Sequence, residues 1–276
     1  MPSAETHAAE THAAPSSGVA PHVRGAPPGR RRAIVVGASS GIGAALVRQL
    51  ASEGYSVAAL ARRKQEVEGL ARTAGPTAEA LGGRVLPQVH DVRDIGEVPA
   101  LLERLVRELG GLDLFVYAAG VMPSVRADQY DTPTDLDLLA INFGGCAAWC
   151  NEVAKLMGTQ RAGTIIGVSS IAGVRGRKGN PMYGSSKAAM THYLEALRNR
   201  LSERRVHVCT ILPGYVDTIM TQGLKTFWLI SADDAARTIL GAARRKVNER
   251  FVPWRWTLVA LALRLIPSFL FRRLNV

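Results

Sequence analysis

The sequence predicts a single-domain α/β protein built on a doubly wound parallel sheet. Short apolar runs alternate with helical spans along most of the chain, which is typical of parallel strands joined by crossover helices. A glycine-rich turn directly follows the first apolar run. The 276 residues, 47% of them hydrophobic, supply enough apolar material for one sizeable core.

The strands and helices are predicted from these alternating runs. Strands are expected at 34–36, 56–60, 84–89, 112–117, 164–168, 206–212 and 250–252. Helices are expected between them at 42–52, 64–81, 97–109, 133–157, 180–203 and 232–246. The sheet domain therefore spans about residues 31–252.

The first 30 residues have a different composition. They are rich in Ala, Pro, Gly, Ser and His, and Glu-Thr-His-Ala-Ala occurs at 5–9 and again at 10–14. Such a segment buries too little apolar surface to offset its ordering entropy, so residues 1–30 are predicted to be disordered. No charged start is followed by an apolar run, so a secretory signal is not expected. We expect a cytoplasmic location.

The net charge of +11 is concentrated near the C-terminus, where residues 244–276 hold eight basic side chains and one acid. No stretch has the basic and aromatic pattern of a nucleic-acid module, which argues against that partner. The apolar run in 253–276 is broken by Arg264 and Pro267 and is too short to span a bilayer. This basic, apolar extension could lie on the inner membrane surface, or form a helix that packs on residues 215–230 or on a subunit partner.

The three cysteines, Cys146, Cys150 and Cys209, form neither a metal-binding spacing nor a disulfide framework. We expect no metal site and a reducing compartment, with the cysteines as small core residues.

The glycine-rich turn is Gly37-Ala38-Ser39-Ser40-Gly41-Ile42-Gly43, at the predicted junction of the first strand and first helix. Glycines there let the backbone approach a diphosphate, whose charge is met by the helix N-terminus. An ordinary strand-to-helix loop is the alternative interpretation.

Tyr183 and Lys187 are four residues apart, so they lie on one face of the predicted helix. Lowering a phenol pKa from about 10 to about 8 requires roughly 2.7 kcal/mol. An ammonium about 4 Å away supplies about 4 kcal/mol at an effective dielectric constant near 20. The pair could therefore form a proton-transfer site, although a solvated Tyr and Lys would have the same spacing.

Taken together, Gly-x3-Gly-x-Gly and Tyr-x3-Lys resemble the classical short-chain dehydrogenases/reductases, over about residues 32–252. The resemblance implies a Rossmann-type sheet. Asp91-Val92, Ala118-Ala119-Gly120, Asn142, Ser170 and Pro213-Gly214 with Thr218 also match that family. Val36 and Tyr117-Ala118 depart from it, because Thr and Asn are common at these places.

The resemblance assigns four catalytic roles. Tyr183 would exchange a proton with the substrate oxygen, while Lys187 would lower the phenol pKa and hold the nicotinamide ribose. Ser170 would orient the substrate oxygen. Asn142 would position a water that links the site to solvent. Capping or backbone hydrogen bonding is the alternative for Ser170 and Asn142.

The end of the second predicted strand indicates which dinucleotide binds. Ala61 stands where a carboxylate would repel a 2′-phosphate, and Arg62 and Arg63 follow it, so NADP(H) is expected. The residues expected to bind the cofactor are Gly37, Ser39, Ser40, Gly41, Ile42, Gly43, Arg62, Arg63, Asp91, Val92, Ala118, Ala119, Gly120, Tyr183, Lys187, Pro213, Gly214, Val216 and Thr218.

The resemblance makes residues 215–230 a substrate lid. Its apolar residues favour a lipophilic ketone or alcohol and hence a role in lipid metabolism, although they could equally pack onto the core; they are Met220, Leu224, Phe227, Trp228, Leu229 and Ile230. The alternatives are an idle NADP(H)-binding regulator, a reductase of small polar carbonyls, and an epimerase or dehydratase. Family members usually form dimers or tetramers, through helices that correspond here to 133–157 and 180–203.

Overall fold

The computed structural model describes residues 31–126, 128–223 and 226–274. The strands are β1 (Arg32–Val36), β2 (Ser56–Ala61), β3 (Arg84–Val89), β4 (Leu114–Tyr117), β5 (Thr164–Val168), β6 (His207–Pro213) and β7 (Glu249–Val252). They form one parallel sheet in the order β3-β2-β1-β4-β5-β6-β7. The predicted fold class, a Rossmann-type doubly wound sheet, is confirmed.

Helices flank the sheet on both faces. They are α1 (Gly41–Ala51), α2 (Lys64–Ala80), α3 (Val98–Leu109), α4 (Thr132–Leu139), α5 (Gly145–Gln160), α6 (Pro181–Leu201), α7 (Ala232–Arg244), α8 (Trp256–Leu265) and the single turn α9 (Ser268–Phe271). One buried cluster joins the sheet to α1, α2 and α7, and another joins it to α3, α5 and α6. Both faces of a parallel sheet are covered in this way, so its strands are almost continuously apolar.

The strand order reverses between β1 and β4. The chain proceeds from β1 outward to β2 and β3, then returns to place β4 on the other side of β1. The loops that follow β1 and β4 therefore lead in opposite directions, and a crevice opens between them at the carboxyl edge of the sheet.

The helix predicted at 133–157 is divided in the structure. A π-helical turn, Ala140–Gly144, separates α4 from α5. The Gly145 amide bonds to the Ala140 carbonyl, five residues back, and the Tyr117 hydroxyl donates to the Ile141 carbonyl at 2.6 Å. Tyr117 thus takes up a carbonyl that a regular α-helix would bond internally. Sequence periodicity does not show such a side-chain contact.

The C-terminal region continues the fold beyond β7. Trp256 and Ala260 of α8 are buried against Leu212 and Phe251 at the sheet edge. Arg175 donates to the Leu263 and Ile266 carbonyls at the end of α8, and its guanidinium lies over the Phe271 ring. These contacts anchor α8 and α9 to the loop after β5.

Some predictions concern residues that the structure does not describe. The predicted disorder of 1–30 and the lid residue Leu224 lie outside the described residues. Within the described ranges, no helix has the length and apolar character needed to cross a membrane. The three cysteines are buried and carry free thiols, with the Cys146 and Cys150 sulfurs 3.9 Å apart.

Candidate active site

A cavity of about 1330 Å³ lies at the carboxyl edge of the sheet. The segments that follow β1 to β6 line it, together with residues from α4, α6 and α8. Every cofactor-binding residue predicted from the sequence lines this cavity. Of the four predicted catalytic residues, Ser170, Tyr183 and Lys187 also line it, and Asn142 lies directly behind.

The glycine turn after β1 comes close to neighbouring backbone. A Cβ on Gly37, whose φ is +92°, would lie 2.4 Å from the Ala119 nitrogen, and one on Gly43 would lie 2.1 Å from the Gly37 carbonyl oxygen. Ser40 precedes α1 without a side-chain cap, so amides of the first turn remain free. A compact backbone cradle at a helix N-terminus fits a diphosphate, as a dinucleotide requires.

Ser39, Ser40, Gly41 and Ile42 line the same mouth of the cavity. Gly41 lies against Thr218 from the segment after β6, since a Cβ there would approach the Thr218 methyl group to 2.9 Å. The turn after β1 and the segment after β6 therefore border the same space.

Arg62 and Arg63 follow β2 beside this cradle. The Arg63 guanidinium donates to the hydroxyls of Ser39 and Ser40, both at 2.9 Å. Arg62 lies 3.7 Å from the Asp91 carboxylate. Both side chains are largely exposed, so they can reorient toward an anion.

Asp91 follows β3 and is held by Arg93. The Arg93 guanidinium donates to both carboxylate oxygens, at 2.6 and 3.1 Å, and this pairing lowers the pKa of Asp91 to about 2. Asp91 is therefore a carboxylate at neutral pH. Val92 is buried beside Gly145. A Cβ placed on Gly145 would lie only 2.8 Å from the Val92 Cβ.

The segment after β4 carries Ala118, Ala119 and Gly120 and brings the catalytic residues close. A Cβ on Gly120 would lie 3.3 Å from both the Asn142 Oδ1 and the Lys187 Nζ. The absence of a side chain at Gly120 thus leaves room for two polar groups at the floor of the cavity.

Asn142 lies in the π-helical turn and is fully buried. Its Oδ1 accepts from the Val121 amide at 2.8 Å, and its Nδ2 donates to the Val121 carbonyl and the Ser186 hydroxyl. Both amide hydrogens are therefore used within the protein. A water, as predicted from the sequence, could bond to this side chain only through the remaining lone pair of Oδ1.

Tyr183 is positioned by the start of α6. Asn180 caps this helix in a left-handed conformation, with its Oδ1 accepting from the Tyr183 amide and its Nδ2 donating to the Pro123 carbonyl. The sequence predicts the helix start at 180 but not the capping role of the Asn180 side chain, although Asn followed by Pro at the first helical position is a recognisable start signal.

The phenol of Tyr183 is buried, and burial raises its pKa. A hydrogen-bonding contact with the Ser170 hydroxyl and the charge of Arg177 act in the opposite direction. Arg177, which lines the same cavity, was also missed from the sequence. The structure therefore differs from the expected lowering of the phenol pKa, and Tyr183 keeps its proton at neutral pH.

Lys187 is buried one helical turn after Tyr183. Its Nζ donates to the Val168 carbonyl at 3.0 Å and lies 5.9 Å from the centre of the Tyr183 ring. Burial lowers the pKa of Lys187 to about 8. Desolvation, rather than the charge of Lys187, therefore sets the direction of the shift in the Tyr183 pKa.

The segment after β6 forms the far wall. Pro213, Gly214 and Val216 line the cavity, and a Cβ on Gly214 would overlap the Trp256 indole, 1.9 Å from Nε1. Gly214 is thus needed for α8 to approach the sheet edge.

The wall opposite Tyr183 is aromatic and aliphatic. Tyr215, Phe227 and Trp256 line it, and their rings pack together and with Trp228 at centroid distances of 5.1 to 5.8 Å. Residues from the predicted lid and from α8 complete it: Ile219, Met220, Val259 and Leu263. The contribution of α8 was not predicted, because the sequence left its packing partner open.

Comparisons with known proteins agree with this architecture. The profile of the short chain dehydrogenase family matches residues 31–227. An uncharacterized oxidoreductase of Myxococcus xanthus is 32% identical over 243 residues, covering 87% of this chain and 94% of that protein. The 3-oxoacyl-[acyl-carrier-protein] reductase of Bos taurus is 32% identical over 190 residues, covering 69% of this chain and 77% of that protein.

A solved short-chain type dehydrogenase/reductase from Mycobacterium marinum superposes with a TM-score of 0.70 at 26% identity, covering 77% of this chain and 88% of that chain. The fold and site define an oxidoreductase built around a dinucleotide crevice. This chain belongs to the short-chain dehydrogenase/reductase family. Ketoreductases are among its relatives.

Burial of Lys187 predicts a specific pH dependence of stability. The folded-state pKa is about 8 against 10.5 for an unperturbed lysine, so the cost of burying the charge is present below pH 8 and is relieved as the pH rises toward 10.5. We expect the stability of Lys187→Met, relative to the wild type, to fall by about 2 kcal/mol between pH 7 and pH 10.

Urea unfolding at the two pH values measures this difference. Lys178→Met, at an exposed position in the loop before α6, is the matched control and should show no such change. A Lys187→Met difference that is independent of pH would contradict the assigned burial cost.

Proposed function

We propose that this protein is an NADP(H)-dependent reductase of a carbonyl group on a lipophilic molecule. The observation that carries the proposal is the buried group of Ser170, Tyr183 and Lys187, which shares one cavity with the glycine cradle. The cradle would hold the diphosphate, and the bound dinucleotide would supply a hydride at its nicotinamide ring.

Tyr183 is suited to donate a proton to the substrate oxygen. Burial raises the pKa of its phenol, so the phenol carries a proton that it can give to a carbonyl oxygen. The Ser170 hydroxyl would donate a hydrogen bond to the same oxygen and fix its orientation. The buried Lys187 ammonium would stabilise the phenolate left after donation, and the Asn142 and Ser186 contacts keep the floor of the site rigid.

The preference for NADP(H) rests on the charges after β2. Arg62 and Arg63 are exposed cations beside the cradle, and Ala61 brings no carboxylate there. The Arg63 hydrogen bonds to Ser39 and Ser40 hold its guanidinium beside the turn, which supports a contact with a 2′-phosphate on the adenosine ribose.

The lipophilic substrate is inferred from the wall opposite Tyr183. Three aromatic side chains, Tyr215, Phe227 and Trp256, and several aliphatic ones form that wall, and Arg177 is the cation from the loop before α6 that faces the cavity. The named 3-oxoacyl-[acyl-carrier-protein] reductases among the relatives support a carbonyl on an acyl-like chain. A medium- or long-chain ketone is the substrate class that this wall fits best.

Tyr183→Phe tests the proton donor. The change removes one buried hydroxyl, so we expect the rate of NADPH oxidation with a panel of ketones to fall by about 10³-fold or more. Affinity for NADPH, measured by its fluorescence, should remain within a few-fold. Tyr130→Phe, at a position that is 93% exposed, is the matched control. Near wild-type turnover in Tyr183→Phe would exclude the phenol as the donor.

Replacing Arg62 and Arg63 together with glutamine tests the cofactor preference. Loss of two cations that face a 2′-phosphate should weaken NADPH binding by about tenfold or more, while NADH binding stays nearly unchanged. Arg72→Gln, farther along α2, controls for the loss of charge alone. Equal weakening of both cofactors, or an initial preference for NADH, would reject the assignment to NADP(H).

A further inference from the structure

The helix α8 presents apolar side chains on two opposite faces. At about 100° per residue, Trp256, Val259, Ala260 and Leu263 share one side, and this side packs on the sheet edge and lines the cavity. Leu258, Leu261 and Leu265 lie about 180° around the helix and are 61%, 56% and 72% exposed. A surface helix normally exposes polar residues on the side that faces solvent. The exposed leucines of α8 therefore indicate an interaction surface.

The exposed apolar surface continues into α9. Phe269 is 61% exposed and Leu270 is 45% exposed, beyond Pro267. We use the term outer face for these side chains together: Leu258, Leu261, Leu265, Phe269 and Leu270. Arg175 holds both helices in place through the α8 carbonyls and the Phe271 ring, so the outer face belongs to a fixed part of the fold.

The charge around the outer face has one sign. Residues 254–274 contain four arginines and no acidic residue, and all four arginines are exposed: Arg255, Arg264, Arg272 and Arg273. Apolar side chains bordered by arginines complement a bilayer with anionic headgroups. A symmetric contact between two copies would instead bring the same arginines toward each other without acids to pair them.

We propose that the outer face of α8 and α9 docks on an anionic lipid bilayer. The helix that lines the substrate cavity through Val259 and Leu263 then has lipid on its other side. This position would let a lipophilic substrate pass from the bilayer into the cavity over a short path. The passage rests on the function proposed above, whereas the docking does not.

Co-sedimentation of the full-length protein with vesicles tests the docking without cofactor or substrate. Vesicles contain phosphatidylcholine alone or with about 30 mol% phosphatidylglycerol. We expect binding to the anionic vesicles and much weaker binding to the neutral ones. Leu258→Ser/Leu265→Ser should lose at least about tenfold in partitioning, because two exposed leucines no longer enter the bilayer. The matched control is Leu81→Ser/Leu136→Ser, which alters two leucines outside the outer face that are each 57% exposed. We do not expect an equal loss of partitioning for this control.

Removing charge gives an independent readout. Arg272→Gln/Arg273→Gln should weaken binding to anionic vesicles by roughly 30-fold, since each arginine near such a surface contributes about fivefold. Arg200→Gln/Arg204→Gln, on the exposed end of α6 and the turn after it, is the matched control. Unaltered NADPH binding in every variant shows that the cofactor site is intact, so a failure here leaves the proposed function standing.

Three results would overturn the docking proposal. The first is no sedimentation of the wild type with either vesicle. The second is equal loss in the test and control variants. The third is a wild-type dimer, measured by light scattering, that the Leu258→Ser/Leu265→Ser change dissociates without affecting vesicle binding, because the outer face would then join two copies.

Discussion

The burial of one ammonium group is the constraint on which the site depends. Lys187 lies buried in the floor of the crevice, where its ammonium donates to the carbonyl at the end of β5, with Gly120 leaving it space and Asn142 beside it. Desolvation lowers its pKa, and the same burial raises the pKa of Tyr183. A pair of groups with opposite shifts, held by one helix at the edge of a parallel sheet, is a typical arrangement for acid–base chemistry.

The parallel sheet and the glycine turn follow from local rules, and for that reason the sequence predicts them. Alternating apolar runs specify parallel strands. At Gly37 and Gly43 the backbone lies so close to neighbouring backbone that a side chain would not fit. Tyr183 and Lys187 share a helix face through spacing alone. These features depend on residues close together in the chain.

The features that the sequence did not predict depend on residues far apart. The π-helical turn around Asn142 needs the Tyr117 hydroxyl, which comes from a strand 24 residues earlier. The raised pKa of Tyr183 reflects burial, which no spacing encodes. Likewise, Trp256 becomes part of the cavity because Gly214 lets it approach, whereas the sequence shows only an apolar segment with several possible partners.

Transfer of deuterium tests the proposal that this crevice passes a hydride from a nicotinamide to a carbonyl carbon. The protein is incubated with NADPH that carries deuterium on the reactive face of the nicotinamide and with ketones of graded chain length, and the alcohols are analysed by mass spectrometry. We expect one deuterium on the carbinol carbon of a medium- or long-chain product. Alcohol that carries only solvent hydrogen at that carbon, or no alcohol from any ketone despite bound NADPH, would contradict it.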